Sequence, residues 1–182
     1  MPKTAIYEAH ITRYAVIDNT PEIKDYPDSS ATGTAMARKI REILKGGTVS
    51  VWTISPDAMV YEALTVMAEK DIGAIVVVEG KKLVGMLSER DYARRVILIG
   101  KTSREMVVQE VMSSPVCTVT PDHTISECLA LMTNRRIRHL PVLEGTALCG
   151  VISIGDLVKE IVSRQISLIK GYENYIRGVY PI

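Results

Sequence analysis

Two short motifs combine a hydroxyl with a carboxylate three residues later. The first motif is Ser88–Asp91 in S-E-R-D, and the second motif is Ser153–Asp156 in S-I-G-D. At the start of a helix, this spacing is typical of a capping box, in which both side chains bind backbone N–H groups. The same geometry can bind a nucleotide, because a helix N-terminus and a serine hydroxyl donate to phosphate, whereas an aspartate accepts from ribose hydroxyls. The spacing is compatible with both interpretations.

Each motif ends one copy of an internal repeat. A shift of 65 residues places the block 53–91 on 118–156 without a gap, and 14 of the 39 aligned pairs are identical. Average composition gives about two or three such matches by chance. Just upstream, E-I-L at 42–44 matches E-V-M at 110–112 after a shift of 68. We therefore predict four segments: an N-terminal extension over 1–34, a first repeat over 35–103, a second repeat over 104–165, and a tail helix over 166–182.

The elements that position the motifs follow the same order in both copies, β-α-β-β-α. Ser55 and Thr120 are expected to cap the first helix of each copy, with Pro56 and Pro121 at the first helical position, where a missing N–H costs nothing. The second helix of each copy is expected to begin at the serine of its motif. Turn sequences with glycine, E-G-K-K and E-G-T-A, join the last two strands of each copy. The predicted strands are 49–54, 74–78 and 83–87 in the first copy, and 116–119, 140–143 and 148–152 in the second.

The repeated pattern, the strand in I-R-H-L-P-V-L, and the endings G-M-L-S-E-R-D and G-V-I-S-I-G-D resemble a tandem pair of cystathionine-β-synthase-type (CBS) domains over about residues 37–165. In particular, the chain is similar to small stand-alone bacterial CBS-pair proteins. The resemblance implies an α/β (α+β) fold in which the two repeats pack sheet to sheet about a pseudo-two-fold axis. It also implies homodimers, and clefts between the repeats that bind AMP, ADP, ATP, NAD or S-adenosylmethionine.

The resemblance further implies roles for individual residues. Asp91 and Asp156 are similar to the family's ribose-binding acids, and Ser88 and Ser153 to its phosphate-contacting hydroxyls. The whole set of implied nucleotide-binding residues is Ile54, Ala74, Ser88, Arg90, Asp91, Arg138, His139, Pro141, Ser153 and Asp156.

The two copies differ in basic residues. Arg138 and His139 lie where related proteins place phosphate ligands, but the first copy has Gly73 and Ala74 at the matched positions. Conversely, Arg90 has no basic counterpart in the second motif. We therefore expect one cleft to bind phosphate better than the other. The preferred combination is the first motif with Arg138 and His139, and the cleft around the second motif is expected to be weaker.

Composition limits the classes of function. The chain has 22 Lys and Arg against 21 Asp and Glu, and this balance argues against a nucleic acid or an anionic membrane as the main partner. The three cysteines, Cys117, Cys128 and Cys149, have no C-x-x-C spacing, so neither a disulfide framework nor a metal site is predicted. Since neither a signal peptide nor an apolar run of membrane-spanning length is found, the expected location is the cytoplasm.

The leading hypothesis is a regulatory module. An adenine nucleotide binds between the repeats, shifts their packing through different affinities for the two arrangements, and an unidentified partner protein reads the change in trans. An enzyme acting on a nucleotide is the weaker hypothesis, because no nucleophile–base set is found and no catalytic residue is predicted. A ligand-free structural dimer, in which both motifs only cap helices, is a third. Nucleic-acid binding through Arg135, Arg136 and Arg138 is the least favoured.

Overall fold

The structure is a computed structural model that describes residues 33–45 and 51–176. The helices are Gly33–Met36 (α1), Ile40–Lys45 (α2), Val60–Lys70 (α3), Glu89–Arg95 (α4), Val108–Val111 (α5), Ile125–Arg135 (α6) and Ile154–Ile176 (α7), with a 3-10 turn at Ile97–Ile99. The strands are Thr53–Ile54 (β1), Ala74–Glu79 (β2), Lys82–Ser88 (β3), His139–Glu144 (β4) and Ala147–Ser153 (β5). The expected N-terminal extension up to residue 32, the start of the strand at 49–54 and the last six residues of the tail lie outside the described residues.

The mixed fold with two copies of a β-α-β-β-α pattern is confirmed. The four strands predicted around the glycine turns correspond to β2, β3, β4 and β5, and the helices α4 and α7 follow the serines of the two motifs. The strand expected at 116–119 is wrong in extent, since only Val119 pairs, as an isolated parallel bridge to Val142. The boundary expected at 165–166 lies inside α7, so the expected tail helix is the second half of one long helix.

The helix caps expected at Ser55 and Thr120 are wrong, because both helices begin later. α3 begins at Val60, and its first N–H donates to the Met106 carbonyl at 3.0 Å. A helix beginning at Pro56 would place that N–H on the Pro56 carbonyl, which accepts from Gln109 instead. The prolines therefore lie in a turn before the helix, where their carbonyls bind another segment.

The second copy shows which residues do cap the helix. The Thr124 hydroxyl accepts from the Glu127 N–H at 3.2 Å, and the Glu127 carboxylate accepts from the Thr124 N–H at 2.7 Å. This T-x-x-E pair is a complete capping box at the start of α6.

Two units make up the described residues. Unit 1 combines residues 51–120 with 141–151, and unit 2 combines residues 33–45, 121–140 and 152–176. In unit 1, β1 runs parallel to β2, and β2 runs antiparallel to β3 with Ala74 opposite Ser88. This register places the end of β3, and with it the first motif, beside the start of β2.

Both faces of β2 are buried inside unit 1. Ile75 and Val77 belong to a core cluster with residues of α3 and α5, whereas Val76 belongs to a second cluster with Leu143 and Leu148 of β4 and β5. A strand that is covered on both faces is apolar throughout, which explains the run A-I-V-V-V in the sequence. Strand residues of the second repeat thus complete the core around the sheet of the first repeat.

The first segment of each repeat packs on the helix of the other repeat. In unit 1, the N–H of Val108 in α5 donates to the carbonyl of Ala58, just before α3, at 2.8 Å. In unit 2, the N–H of Ile40 in α2 donates to the carbonyl of His123, just before α6, at 2.9 Å. Val108 and Ile40 occupy matched positions, and both are 0% exposed. Each unit therefore combines parts of both repeats.

Ion pairs reinforce this exchange in unit 2. Arg38 pairs with Glu42 at 2.9 Å and with Glu160 of α7. The hydrogen bonds that Arg38 donates to both carboxylates raise its pKa, with the bond to Glu42 the largest cause. These contacts hold the first segment of the first repeat on the last helix of the second.

Candidate functional site

The first motif forms a complete capping box at the start of α4. The Ser88 hydroxyl accepts from the Asp91 N–H at 3.3 Å, and Oδ2 of Asp91 accepts from both the N–H and the hydroxyl of Ser88. The structural interpretation of this motif is therefore correct. These bonds occupy one of the two carboxylate oxygens, so the other decides whether Asp91 can also accept from a ligand.

The second oxygen of Asp91 already has a hydrogen-bond donor and a nearby cation within unit 1. Ser113 donates its hydroxyl to Oδ1 at 3.0 Å, and Nε of Arg95 lies 4.0 Å from the same oxygen. The Arg95 guanidinium also donates to the carbonyls of Val111 and Met112, at 3.0 and 2.7 Å. Asp91 thus holds the first segment of the second repeat, and each of its oxygens accepts at least one hydrogen bond.

The second motif forms the same capping box but differs at the other oxygen of its carboxylate. Oδ2 of Asp156 accepts from the Ser153 N–H at 2.8 Å and from its hydroxyl at 2.6 Å. Within the part of the chain that the structure describes, nothing donates to Oδ1 of Asp156. Neither Ser113 nor Arg95 has an equivalent in unit 2, since Lys45 and Glu160 occupy the matched positions. Asp156 is exposed, whereas Asp91 is half-buried.

The basic pair lies beside the second motif. The N–H of Ile154, the first residue of α7, donates to the Arg138 carbonyl at 2.9 Å. Arg138 is exposed and His139 is half-buried. Unit 2 therefore brings Arg138 and His139 together with Ser153 and Asp156. The combination preferred from the sequence, the first motif with Arg138 and His139, joins residues of different units and stays a prediction.

The first copy has the same backbone arrangement without the charges. The Glu89 N–H donates to the Gly73 carbonyl at 3.2 Å, as Ile154 does to Arg138. Ala74, which follows Gly73, is 7% exposed. Arg90 is exposed on α4 and supplies the basic group of the first motif.

The apolar members of the expected set lie in the interior of unit 1. Ile54 is 7% exposed and belongs to the core cluster under α3. Pro141 is buried, and its carbonyl accepts from the Val119 N–H at 3.0 Å.

Two findings concern other classes of site. In the residues described by the structure, no group of three or more His, Cys, Asp or Glu side chains is arranged to hold a metal ion. Among the same residues, no helix combines the length and the apolar character needed to cross a lipid bilayer.

Comparison with known proteins now assigns the family. A family model of the CBS domain matches residues 40–98 and 108–163. The chain belongs to the CBS domain family. Proteins of this family are generally regulatory, ligand-binding modules rather than catalysts.

Relatives from several lineages share the CBS pair. A mitochondrial CBS domain-containing protein of Arabidopsis thaliana is 36% identical over 135 residues, which cover 71% of this chain and 65% of the relative. A candidate signal-transduction protein with CBS domains from Burkholderia ambifaria has a TM-score of 0.68 at 44% identity, covering 70% of this chain and 96% of that one. A hexameric CBS-CP12 protein from bloom-forming cyanobacteria has a TM-score of 0.61 at 30% identity, covering 68% and 67%. The chain thus spans less than two thirds of the Arabidopsis relative.

Sequence reasoning missed Ser113 and Arg95, the residues that make the two CBS motifs unequal. The signal was present in the repeat itself. The shift of 68 that aligns 42–44 with 110–112 pairs Ser113 with Lys45, and the shift of 65 pairs Arg95 with Glu160. Neither pair could be connected to Asp91 without the fold, because Ser113 lies 22 positions away in the sequence.

Proposed function

We propose that this chain is a ligand-sensing module that binds an adenosine-containing nucleotide, AMP, ADP, ATP or NAD, at the second motif. Family membership supports the regulatory class. The observation that carries the assignment is the unequal state of the two carboxylates: nothing described donates to Oδ1 of Asp156, whereas Ser113 donates to Oδ1 of Asp91.

The ribose is assigned to Asp156. A carboxylate that already accepts two hydrogen bonds on Oδ2 is held in one orientation, and its other oxygen can accept from a vicinal diol. A ligand at Asp91 would have to share Oδ1 with Ser113, and that competition makes its site the weaker one. This assignment reverses the preference derived from the sequence for the first motif.

The phosphates are assigned to Arg138 and His139. The Arg138 backbone is hydrogen-bonded to the first residue of α7, so the basic pair and the helix N-terminus lie at the same end of unit 2. A guanidinium forms two parallel bonds to a phosphate group, and the positive end of the 23-residue helix α7 adds to the attraction. The bound nucleotide changes the equilibrium between conformations only through its different affinity for them, and a partner protein responds to that change.

Calorimetric titration with AMP, ADP, ATP, NAD and adenosine tests the proposal. We expect at least one nucleotide to bind, and Asp156→Asn to weaken that binding at least about tenfold, because the amide donates where the ribose also donates. Asp91→Asn is the matched control, since it makes the same change in the same capping box, and we expect it to change affinity less than about threefold. Arg138→Met should weaken binding of phosphorylated ligands more than that of adenosine.

The outcomes separate the competing functions. If no adenosine compound binds and none raises the melting temperature, the chain is a ligand-free structural module whose motifs only cap helices. If Asp91→Asn removes binding and Asp156→Asn does not, the nucleotide lies at the first motif, as the sequence-based preference has it. Turnover of a bound nucleotide by the purified protein would support the enzyme hypothesis instead.

A further inference from the structure

Three large apolar side chains follow one another on the surface of unit 1, directly after α4. Ile97, Leu98 and Ile99 form the 3-10 turn at this point and are 54%, 78% and 57% exposed. Within the part of the chain that the structure describes, no other large apolar side chain is as exposed as Leu98. Contiguous apolar groups with a polar rim mark contacts with other proteins or with membranes, whereas single exposed ones are common. We call these three residues the aliphatic turn.

The aliphatic turn is held in place at both ends. Val96, just before it, is 0% exposed and belongs to the core cluster of unit 1. The N–H of Gly100 donates to the Ile97 carbonyl at 3.0 Å, and the N–H of Lys101 donates to the Val96 carbonyl at 3.1 Å. Gly100 has φ 75°, a conformation that favours glycine, and it ends the turn. The local backbone therefore fixes the three aliphatic side chains on the outside of the unit.

The repeat itself does not require this turn. The shift of 65 places Ile97–Ile99 on residues 162–164. In the second copy, these positions lie inside the long helix α7, and Arg164 stands where the first copy has Ile99. The exposed aliphatic residues are thus a feature of the first copy alone and need an explanation beyond the fold.

Basic residues flank the aliphatic turn on both sides along the chain. Arg94 is exposed in the last turn of α4, and Lys101 is exposed directly after Gly100. Arg104 is also exposed, with its guanidinium over the Tyr61 ring, 3.8 Å from the ring centroid. Residues 94–104 contain four Arg and Lys and no Asp or Glu, although the whole chain is nearly balanced in charge. The aliphatic turn therefore lies within a local concentration of positive charge.

We propose that the aliphatic turn inserts into the surface of a membrane that contains anionic lipids. Aliphatic side chains are stabilised at the boundary of the acyl chains, and Lys and Arg beside them are attracted to the negatively charged headgroups. A bilayer surface accepts a protruding turn without a matching pocket, whereas a protein partner would need an apolar pocket with an acidic rim. This contact goes beyond the proposed nucleotide binding and does not depend on it.

Flotation of the full chain with lipid vesicles, without nucleotide, tests the proposal. We expect binding to vesicles of phosphatidylcholine with about 30% phosphatidylserine, and binding to pure phosphatidylcholine that is at least about tenfold weaker, because anionic headgroups attract the cations. Raising the NaCl concentration from about 0.1 M to about 0.5 M should weaken binding to the anionic vesicles at least about fivefold, since salt screens this attraction.

An apolar substitution locates the inserted residues. Leu98→Ser removes the most exposed aliphatic group of the turn, and we expect it to weaken binding to anionic vesicles at least about fivefold. Leu168→Ser is the matched control, because it makes the same change at a leucine of α7 that is 50% exposed. The control should bind within about twofold of the wild type.

A charge substitution tests the basic rim separately. Arg94→Glu combined with Lys101→Glu should weaken binding to anionic vesicles at least about tenfold, because two attractions become repulsions. Lys81→Glu combined with Lys82→Glu is the matched control, as it makes the same charge change at exposed residues of unit 1 before β3. We expect this control to weaken binding less than about threefold.

Several results would overturn the proposal. They are a wild type that does not bind anionic vesicles, a wild type that binds neutral vesicles equally well, and a Leu98→Ser variant that binds like Leu168→Ser. A dimeric wild type that Leu98→Ser dissociates would also overturn it, because a second copy of the chain then covers the turn. Circular dichroism melting shows whether each variant is folded, and the two kinds of variant act through different side chains, so one of them still decides if the other fails to fold. None of the substituted residues belongs to the proposed nucleotide-binding set, so failure here leaves that proposal unaffected.

Discussion

At the scale of single residues, Asp91 and Asp156 show how one motif acquires two different chemical states. Both carboxylates close the same capping box, and both are three residues after a serine. The difference comes from Ser113, whose hydroxyl donates to Oδ1 of Asp91, while Lys45 stands at the matched position in unit 2. The surroundings rather than the motif therefore set the hydrogen bonding of the second carboxylate oxygen, and the proposed binding at Asp156 depends on that difference.

Replacement of Ser113 tests the structural part of this explanation. Ser113→Ala removes the donor to Oδ1 of Asp91, and we expect it to lower the free energy of unfolding by about 0.5–1.5 kcal/mol, the usual net value of one hydrogen bond. Urea denaturation measures the change. Ser114→Ala is the matched control at the exposed neighbouring serine, and it should change stability by less than about 0.5 kcal/mol. Equal effects of the two substitutions would contradict the assigned hydrogen bond.

At the scale of secondary-structure elements, the segment containing α2 is held on unit 2 by exposed ion pairs as well as by buried side chains. Lys39 and Arg41 contact the two oxygens of Asp122 at 3.2 and 3.1 Å. Hydrogen bonds from Lys39, and then from Arg41, lower the pKa of Asp122. Asp122 lies in the turn before α6, so these bonds connect α2 to the start of that helix.

This connection predicts a pH dependence with a definite sign. Because folding lowers the pKa of Asp122, its contribution to stability is complete above the pKa of an unfolded aspartate, about 3.9, and is lost as the pH falls through the lower folded value. The stability difference between wild type and Asp122→Asn, measured by urea unfolding from pH 7 to pH 2.5, should therefore shrink below pH 4. Asp57→Asn, the matched position of the first copy, should show a smaller difference. An Asp122→Asn difference that persists unchanged to pH 2.5 would contradict the ion pairs.

At the scale of the whole molecule, the units that form the structure are not the repeats of the sequence. Helix α5 begins the second repeat but packs in unit 1, and α2 begins the first repeat but packs in unit 2. Val108 and Ile40 are fully buried at matched positions in these exchanged segments. A repeat cut at the boundaries expected from the sequence, 35–103, would lack the buried side chains of α5.

Hydrogen exchange measured by mass spectrometry tests the exchange of segments. We expect Ile40→Ala to increase amide exchange in α6 of the second repeat, and Val108→Ala to increase it in α3 of the first, because each truncation leaves a cavity beside that helix. Each substitution should lower the free energy of unfolding by about 2–4 kcal/mol. The two variants are controls for each other. If Ile40→Ala loosened α3 and left α6 unchanged, the segments would pack on their own repeats and the described exchange would be wrong.

The sequence by itself determined the family and the order of elements, and it gave helix capping as one of two interpretations of both motifs. These features depend on contacts between residues close in the chain, such as Ser88 with Asp91, and on apolar patterns such as that of β2. Both can be recognised from the order of residues along the sequence. It failed at the starts of α3 and α6, where Pro56 and Pro121 looked like first helical residues.

The tertiary structure alone decided which of the two motifs has a further donor on its second carboxylate oxygen, and where the helices begin. Both depend on partners distant in sequence: Ser113 for Asp91, and Gln109 for the Pro56 carbonyl. Such pairs form only because α5, a helix of the second repeat, packs against the first repeat and places its backbone beside it. Local spacing contains no information about this crossing, since the free energy that drives it comes from burying apolar side chains such as Val108 between segments far apart in the chain.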